Sequence, residues 1–161
     1  MHEETRPHSR VVAEGRLTSL LRRWRATLRD LAERNNMVTN ILMIALGASI
    51  GANLRYGLSN WAAQHWGTTF PYGTMLINVL GSFAIGLVVI LSMRLAVSNT
   101  WRLLIVTGLL GGFTTFSTFS YETYSLLVTG SWIEAGLNLL GSVGLGMIGV
   151  FLGAGLARFI P

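Results

Sequence analysis

From Met37 to the end of the chain, 125 of the 161 residues, only six side chains carry a formal charge: Arg55, Arg94, Arg102, Glu122, Glu134 and Arg158. The apolar stretches between them reach the ~20 residues that a helix needs to cross the hydrocarbon core of a bilayer. A water-soluble domain carries about 25% charged residues; this chain has 12%, with a mean hydropathy of +0.52. The sequence therefore predicts an all-α membrane protein with four transmembrane helices.

Span one is expected from about Val38 to Ser59 and span two from about Gly73 to Met93, with Pro71 just ahead of its start, where proline is tolerated. Span three is expected from Arg102 to Val128. Span four is expected from Trp132 to Ala157, with Gly141, Gly144, Gly146, Gly149 and Gly153 along it. Trp61, Trp66, Trp101 and Trp132 flank these stretches, as amphipathic rings do at membrane interfaces. Short linkers make consecutive spans antiparallel neighbours. With the N-terminus inside, the inner segments hold Arg94, Arg102, Arg158 and the tail arginines, and Arg55 lies near the outer end of span one. The positive-inside rule then puts both termini in the cytoplasm of a multi-pass protein of the cell (inner) membrane.

The first 36 residues are of another kind, and the division is a basic tail, 1–36, ahead of a transmembrane domain, 37–161. The tail has eight arginines and five acids. Leu17, Leu20, Leu21, Trp24, Leu28 and Leu31 recur at helical spacing, with Arg16, Arg22, Arg23, Arg25 and Arg29 filling much of the rest. Two readings stay open: an amphipathic helix lying on an anionic leaflet, or a non-native extension before a start at Met37. The pI of 10.7 does not imply nucleic acid, because the bases have no interleaved aromatic platform and precede a hydrophobic body.

There is no cysteine, and the three histidines (His2, His8 and His65) are scattered. Thiol chemistry and clustered metal ligands are excluded, and no nucleophile–base pair can be assembled, so the chain is not expected to be an enzyme.

The polar residues inside the spans point to a permeation path. In span three, Gly111-Gly112 precedes a run in which Thr114, Thr115, Ser117, Thr118 and Ser120 supply five hydroxyls. Paired glycines weaken a helix, and broken backbone at membrane depth is tolerated only in a protein interior or beside an aqueous cavity. The third helix is therefore expected to be broken in the middle. The same residues also suit a helix-packing face. Phe116 and Phe119, three apart, share a face. Hydroxyl donors and the positive edges of aromatic rings could pass an anion along without a full positive charge that would hold it. Asn78 in span two, and Asn138 with Ser142 in span four, add polar groups that fit either a pathway or interhelical hydrogen bonds. Arg55 fits a vestibule that attracts anions or a snorkelling anchor. Glu122 fits a proton or cation site, or a buried partner of a hydroxyl, amide or arginine.

Three motifs carry a resemblance. Gly51-Ala52-Asn53-Leu54-Arg55-Tyr56, the Gly73-Thr74 to Phe83 stretch containing Asn78, and Gly111-Gly112-Phe113-Thr114-Thr115-Phe116-Ser117-Thr118-Phe119-Ser120-Tyr121-Glu122 are similar to those of the CrcB/Fluc fluoride channels. The resemblance runs from about Met37 to Pro161, and its third motif is the most specific. It implies passive export of cytoplasmic fluoride through an antiparallel, dual-topology homodimer. It implies Phe116, Phe119, Asn78, Ser117, Thr118 and Ser142 along the pore, Arg55 at the vestibule, and structural roles for Glu122 and Asn138. It further implies a central Na+ held by the backbone carbonyls of Gly111 and Thr114. Asn138 stands where the family often has tyrosine. Competing readings are a small proton-coupled multidrug transporter using Glu122, and a structural assembly subunit packing through its glycine-rich faces.

Overall fold

The computed structural model describes residues 7–160, with side chains for 22–29 and 31–160. The side chains of Leu17, Leu20 and Leu21 in the expected tail helix lie outside the described residues. The chain divides into two units, Met1–Thr39 and Asn40–Pro161.

The described residues are helical, without a strand. Helix α1 covers Pro7–Trp66 and α2 covers Tyr72–Arg94. Helix α3 covers Asn99–Arg102 and continues through a π-helical stretch, Leu103–Leu110, into α4, Gly111–Phe113. Helix α5 covers Phe116–Val128 and α6 covers Trp132–Phe159. Four helical segments are long and apolar enough to cross a membrane: one within α1, α2, the segment Asn99–Val128, and α6. Helix α1 runs seven residues past the expected end of span one, so Trp61 and Trp66 sit on its last turns and not in a loop. The other spans begin and end within about one turn of their expected bounds.

Local chemistry sets the connections. Gly67 and Gly130 adopt left-handed backbone, with φ of 78° and 81°, just beyond α1 and α5. At Gly130 the following residue closes the turn: the Ser131 N–H donates to the Leu126 carbonyl at 2.9 Å and the Gly130 N–H to that of Leu127 at 3.2 Å. Glycine carries no Cβ to oppose that conformation. Beyond α2 the left-handed position falls on Ala96 (φ 48°), and the Val97 N–H reaches back to the Ser92 carbonyl. The loop between α1 and α2 is closed by edge-on and stacked rings of Trp61, His65, Trp66, Phe70 and Tyr72.

Helices α2 and α6 pack side by side and run parallel. A Cβ at Gly153 would collide with the Phe83 carbonyl oxygen, so these two backbones touch. At their shared end the Arg94 guanidinium donates to the carbonyls of Ala157 and Ile160, which tethers the last turn of α6. Between α1 and the π-helical stretch the approach is equally close: a Cβ at Gly47 would collide with the Leu104 carbonyl oxygen. Lipid tails are as apolar as leucine, so such close van der Waals contact through small residues is what holds membrane helices together. Most large apolar side chains point outward, with Ile133, Leu140, Phe151 and Phe159 among the most exposed, while Ile77, Leu110 and Phe119 are buried.

Candidate ion pathway

The feature that organises the site is the interruption between α4 and α5. Thr114 and Thr115 have extended dihedrals, with φ/ψ of −79°/158° and −150°/116°. Asn78 of α2 grips this interruption from the side. Its Oδ1 accepts from the Thr115 N–H at 2.9 Å, and its Nδ2 donates to the Thr115 carbonyl at 3.0 Å. The amide thus serves the Thr115 N–H, which the interruption has released, and adds a second donor to the Thr115 carbonyl, which as the N-cap of α5 already accepts the first bond of that helix. Burying that N–H unpaired would cost about 1–3 kcal/mol. The Thr115 side chain then starts α5: its Oγ1 accepts from the Thr118 N–H at 3.3 Å. It also bonds to the hydroxyls of Thr118 at 2.9 Å and Ser117 at 3.3 Å.

Two cavities lie on either side of this clamp. The first, about 330 Å³, is lined by Asn78, Ser82, Thr114, Thr115, Phe116, Phe119 and Ser142, with apolar neighbours. The second, about 470 Å³, is lined by Ser59, Thr74, Tyr121, Glu122, Ser125, Thr129 and Ser131, among others. Thr74, Asn78 and Ser82 are spaced four apart on α2, and neighbours at that spacing share a helix face. Thr74 lines the second cavity while Asn78 and Ser82 line the first, so one polar stripe of α2 joins the two.

Of the residues singled out in the sequence, Asn78, Phe116, Phe119 and Ser142 meet around one cavity. The two rings have centroids 5.6 Å apart, inclined at 52°. Phe119 is 5% exposed and Phe116 is 78% exposed. Ser117 and Thr118 line neither cavity; their hydroxyls are turned to Thr115. Arg55 is half-buried on α1 and also lines neither. Asn138 is completely buried. It donates from Nδ2 to Thr123 Oγ1 at 2.9 Å and accepts at Oδ1 from the Ser142 hydroxyl at 3.3 Å. Thr123 donates in turn to the Phe119 carbonyl at 2.8 Å. This makes a directed chain from Ser142 through α6 to the backbone of α5. Glu122 has a hydroxyl partner: Thr74 Oγ1 donates to its Oε1 at 2.8 Å, and its Oε2 is buried without a partner.

Sequence reading passed over Thr74, Ser82 and Thr123. The first two were legible as the residues one helical turn before and after Asn78. Thr123 had no such signal, because its role depends on where α6 lies against α5.

The interruption also exposes main-chain oxygen. In an unbroken helix the Thr115 N–H would bond to the Gly111 carbonyl, but here it bonds to Asn78. The Thr114 carbonyl, with ψ of 158°, points off the helical path. Neutral carbonyl oxygens of this kind suit a hard monovalent cation, and broken membrane helices use them so. Among the described residues no group of three or more His, Cys, Asp or Glu side chains could hold a metal ion.

Comparisons with known proteins identify the family. The family model described as "CrcB-like protein, Camphor Resistance (CrcB)" matches residues 42–154. A protein of Roseiflexus sp. (strain RS-1) named "Fluoride-specific ion channel FluC" is 67% identical over 123 residues, covering 76% of this chain and 99% of that protein. A protein of the same name from Chloroflexus aurantiacus (strain ATCC 29366 / DSM 635 / J-10-fl) is 58% identical over 123 residues, 76% of this chain and 98% of its own length. A third, from Shewanella oneidensis, is 46% identical over 116 residues, covering 72% of this chain and 94% of that protein. The match spans all four membrane helices and both sides of the interruption, and the chain belongs to the CrcB-like family.

Proposed function

We propose that the chain is a fluoride-selective channel that lets cytoplasmic fluoride leave passively and so lowers its toxicity. The observation that carries this reading is the 67% identity, over 99% of its length, to a protein named as a fluoride-specific ion channel. The chemistry of the first cavity supports it. Fluoride is small and strongly hydrated, so its dehydration has to be offset by several donors at once. Asn78 keeps one amide hydrogen after clamping Thr115, and Ser82 and Ser142 bring hydroxyls to the same wall. The rings of Phe116 and Phe119 offer positive edges beside them. None of these groups carries a full charge that would trap the ion.

In this reading Ser142 turns its hydroxyl from Asn138 to a passing fluoride, and Asn138 supplies the resting acceptor. Ser117 and Thr118 do the same from Thr115 when a second subunit encloses the exposed face of Phe116. Arg55 draws anions toward the vestibule. Glu122 is structural, held by Thr74. The functional unit is an antiparallel, dual-topology homodimer in the inner membrane, its third helix broken at Thr114–Thr115. Where two subunits meet, the carbonyls of Gly111 and Thr114 would hold a structural Na+, whose charge would fix the two interruptions against each other.

The multidrug-transporter reading is weaker, because the carboxylate on which it depends is bonded to Thr74 in a chain of this family. The deciding experiment is efflux from proteoliposomes, with fluoride and chloride compared. Fluoride efflux with chloride at background is expected; equal rates for both halides, or no fluoride flux, would sink the proposal.

A further inference from the structure

The channel body leaves one amphipathic segment without a role. From Arg22 to Asn36 the tail is helical, and its described side chains are exposed. Trp24, Leu28 and Leu31 are 66%, 58% and 51% exposed. Their spacing of four and then three puts them within one arc of about 100° or less, at 100° per residue. Leu17, Leu20 and Leu21 continue the same spacing in the sequence. Arg22, Arg23, Arg25, Arg29 and Arg34 fall on the flanks and far side, against Asp30 and Glu33. An aromatic and two leucines, exposed on a helix of net positive charge, need a partner that is apolar within and anionic at its rim. A bilayer leaflet containing anionic lipid has that layering.

We propose that residues 22–34, about 20 Å of helix, dock on an anionic lipid leaflet. Trp24, Leu28 and Leu31 enter the boundary between headgroups and acyl chains, and the arginines engage lipid phosphates. Charge selects this occupant over a second copy of the helix, which would bring five more arginines alongside the first five. The exclusive use of arginine strengthens the assignment, because the planar guanidinium can bond two phosphate oxygens at once. Residues 35–39 join this segment to the first membrane-spanning stretch within the same helix, so docking along the leaflet requires α1 to bend there. Each basic residue near an anionic surface adds roughly a fivefold preference for it.

The chain has no cysteine, so a single introduced thiol is a unique label site. Spin labels at Leu28→Cys and, separately, Arg29→Cys are placed in the full chain in nanodiscs of phosphatidylcholine alone or with phosphatidylglycerol. Accessibility to oxygen and to a water-soluble nickel chelate is read. With phosphatidylglycerol, the label at 28 is expected to gain oxygen and lose nickel accessibility, while the label at 29 stays in water. In phosphatidylcholine alone, or with Arg22→Gln, Arg23→Gln and Arg25→Gln together, the label at 28 is expected to return to water. Three outcomes overturn the proposal: both labels in water with anionic lipid, equal burial at 28 in both lipids, or strong coupling between labels at 28 on two chains. The last would assign the stripe to a second copy.

Discussion

Asn78 shows how much one side chain can decide. An interhelical side-chain bond in a membrane is worth roughly 0.6 kcal/mol on average. Asn78 differs because it bonds both the N–H and the carbonyl of one residue, and the interruption leaves that N–H without a helical acceptor. Asn78→Ala is expected to lower stability by about 1–3 kcal/mol, since the buried Thr115 N–H loses its partner. Thermal unfolding in detergent would measure the loss, and a shift no larger than that of a surface substitution would refute the clamp. The phenylalanines test the path itself. Phe116→Ile and Phe119→Ile keep apolar bulk but remove the positive ring edge. Each is expected to slow fluoride efflux about tenfold, the factor for 1.4 kcal/mol of barrier, with the fold intact. Glu122→Gln retains an oxygen to accept from Thr74, whereas Glu122→Ala does not. Efflux assays should find more flux in the first than in the second; the reverse order would argue that the charge itself is needed.

At the scale of elements, the helices were read from the absence of charge, and what joins them from glycine. The contact of α2 with α6 has no room for a Cβ at Gly153 beside the Phe83 carbonyl. Gly153→Ala is therefore expected to cost about 1–3 kcal/mol, the usual range for overpacking, measurable as a lower thermal midpoint in detergent. The four spans were legible because hydropathy is a local property of the chain. The polar stripe Thr74, Asn78 and Ser82 was legible in principle from its spacing of four. The partner of each was not: Thr115 for Asn78 and Glu122 for Thr74 are separated by 37 and 48 residues. The turn of the Ser117 and Thr118 hydroxyls onto Thr115, away from the cavities, was likewise hidden. The resemblance put them on the pore, while the extended backbone at Thr114 and Thr115 makes them the first turn of a new helix capped by the Thr115 hydroxyl.

For the whole molecule, the family match lies within residues 42–154 and leaves the basic tail outside it. A chain of residues 37–161 is expected to retain fluoride efflux within about twofold, since channel function draws on none of the tail residues. Topology mapping of both lengths would show what the tail does to insertion. Without it the arginine bias falls to three inner residues against Arg55, a weak directing signal for a dimer of opposed subunits. A single fixed orientation in both lengths would count against the dual-topology homodimer.

Sequence by itself determined the solvent in which this protein folds, its four helical spans and the absence of thiol chemistry. Each follows from side chains counted in place or from spacing within one helix. Tertiary structure alone decided which polar groups meet. It brought Asn78 to the peptide groups of Thr115, Asn138 between Ser142 and Thr123, and two cavities onto one stripe of α2. Hydrogen bonds act over about 3 Å, and groups so far apart in the chain reach that distance only after the helices have packed.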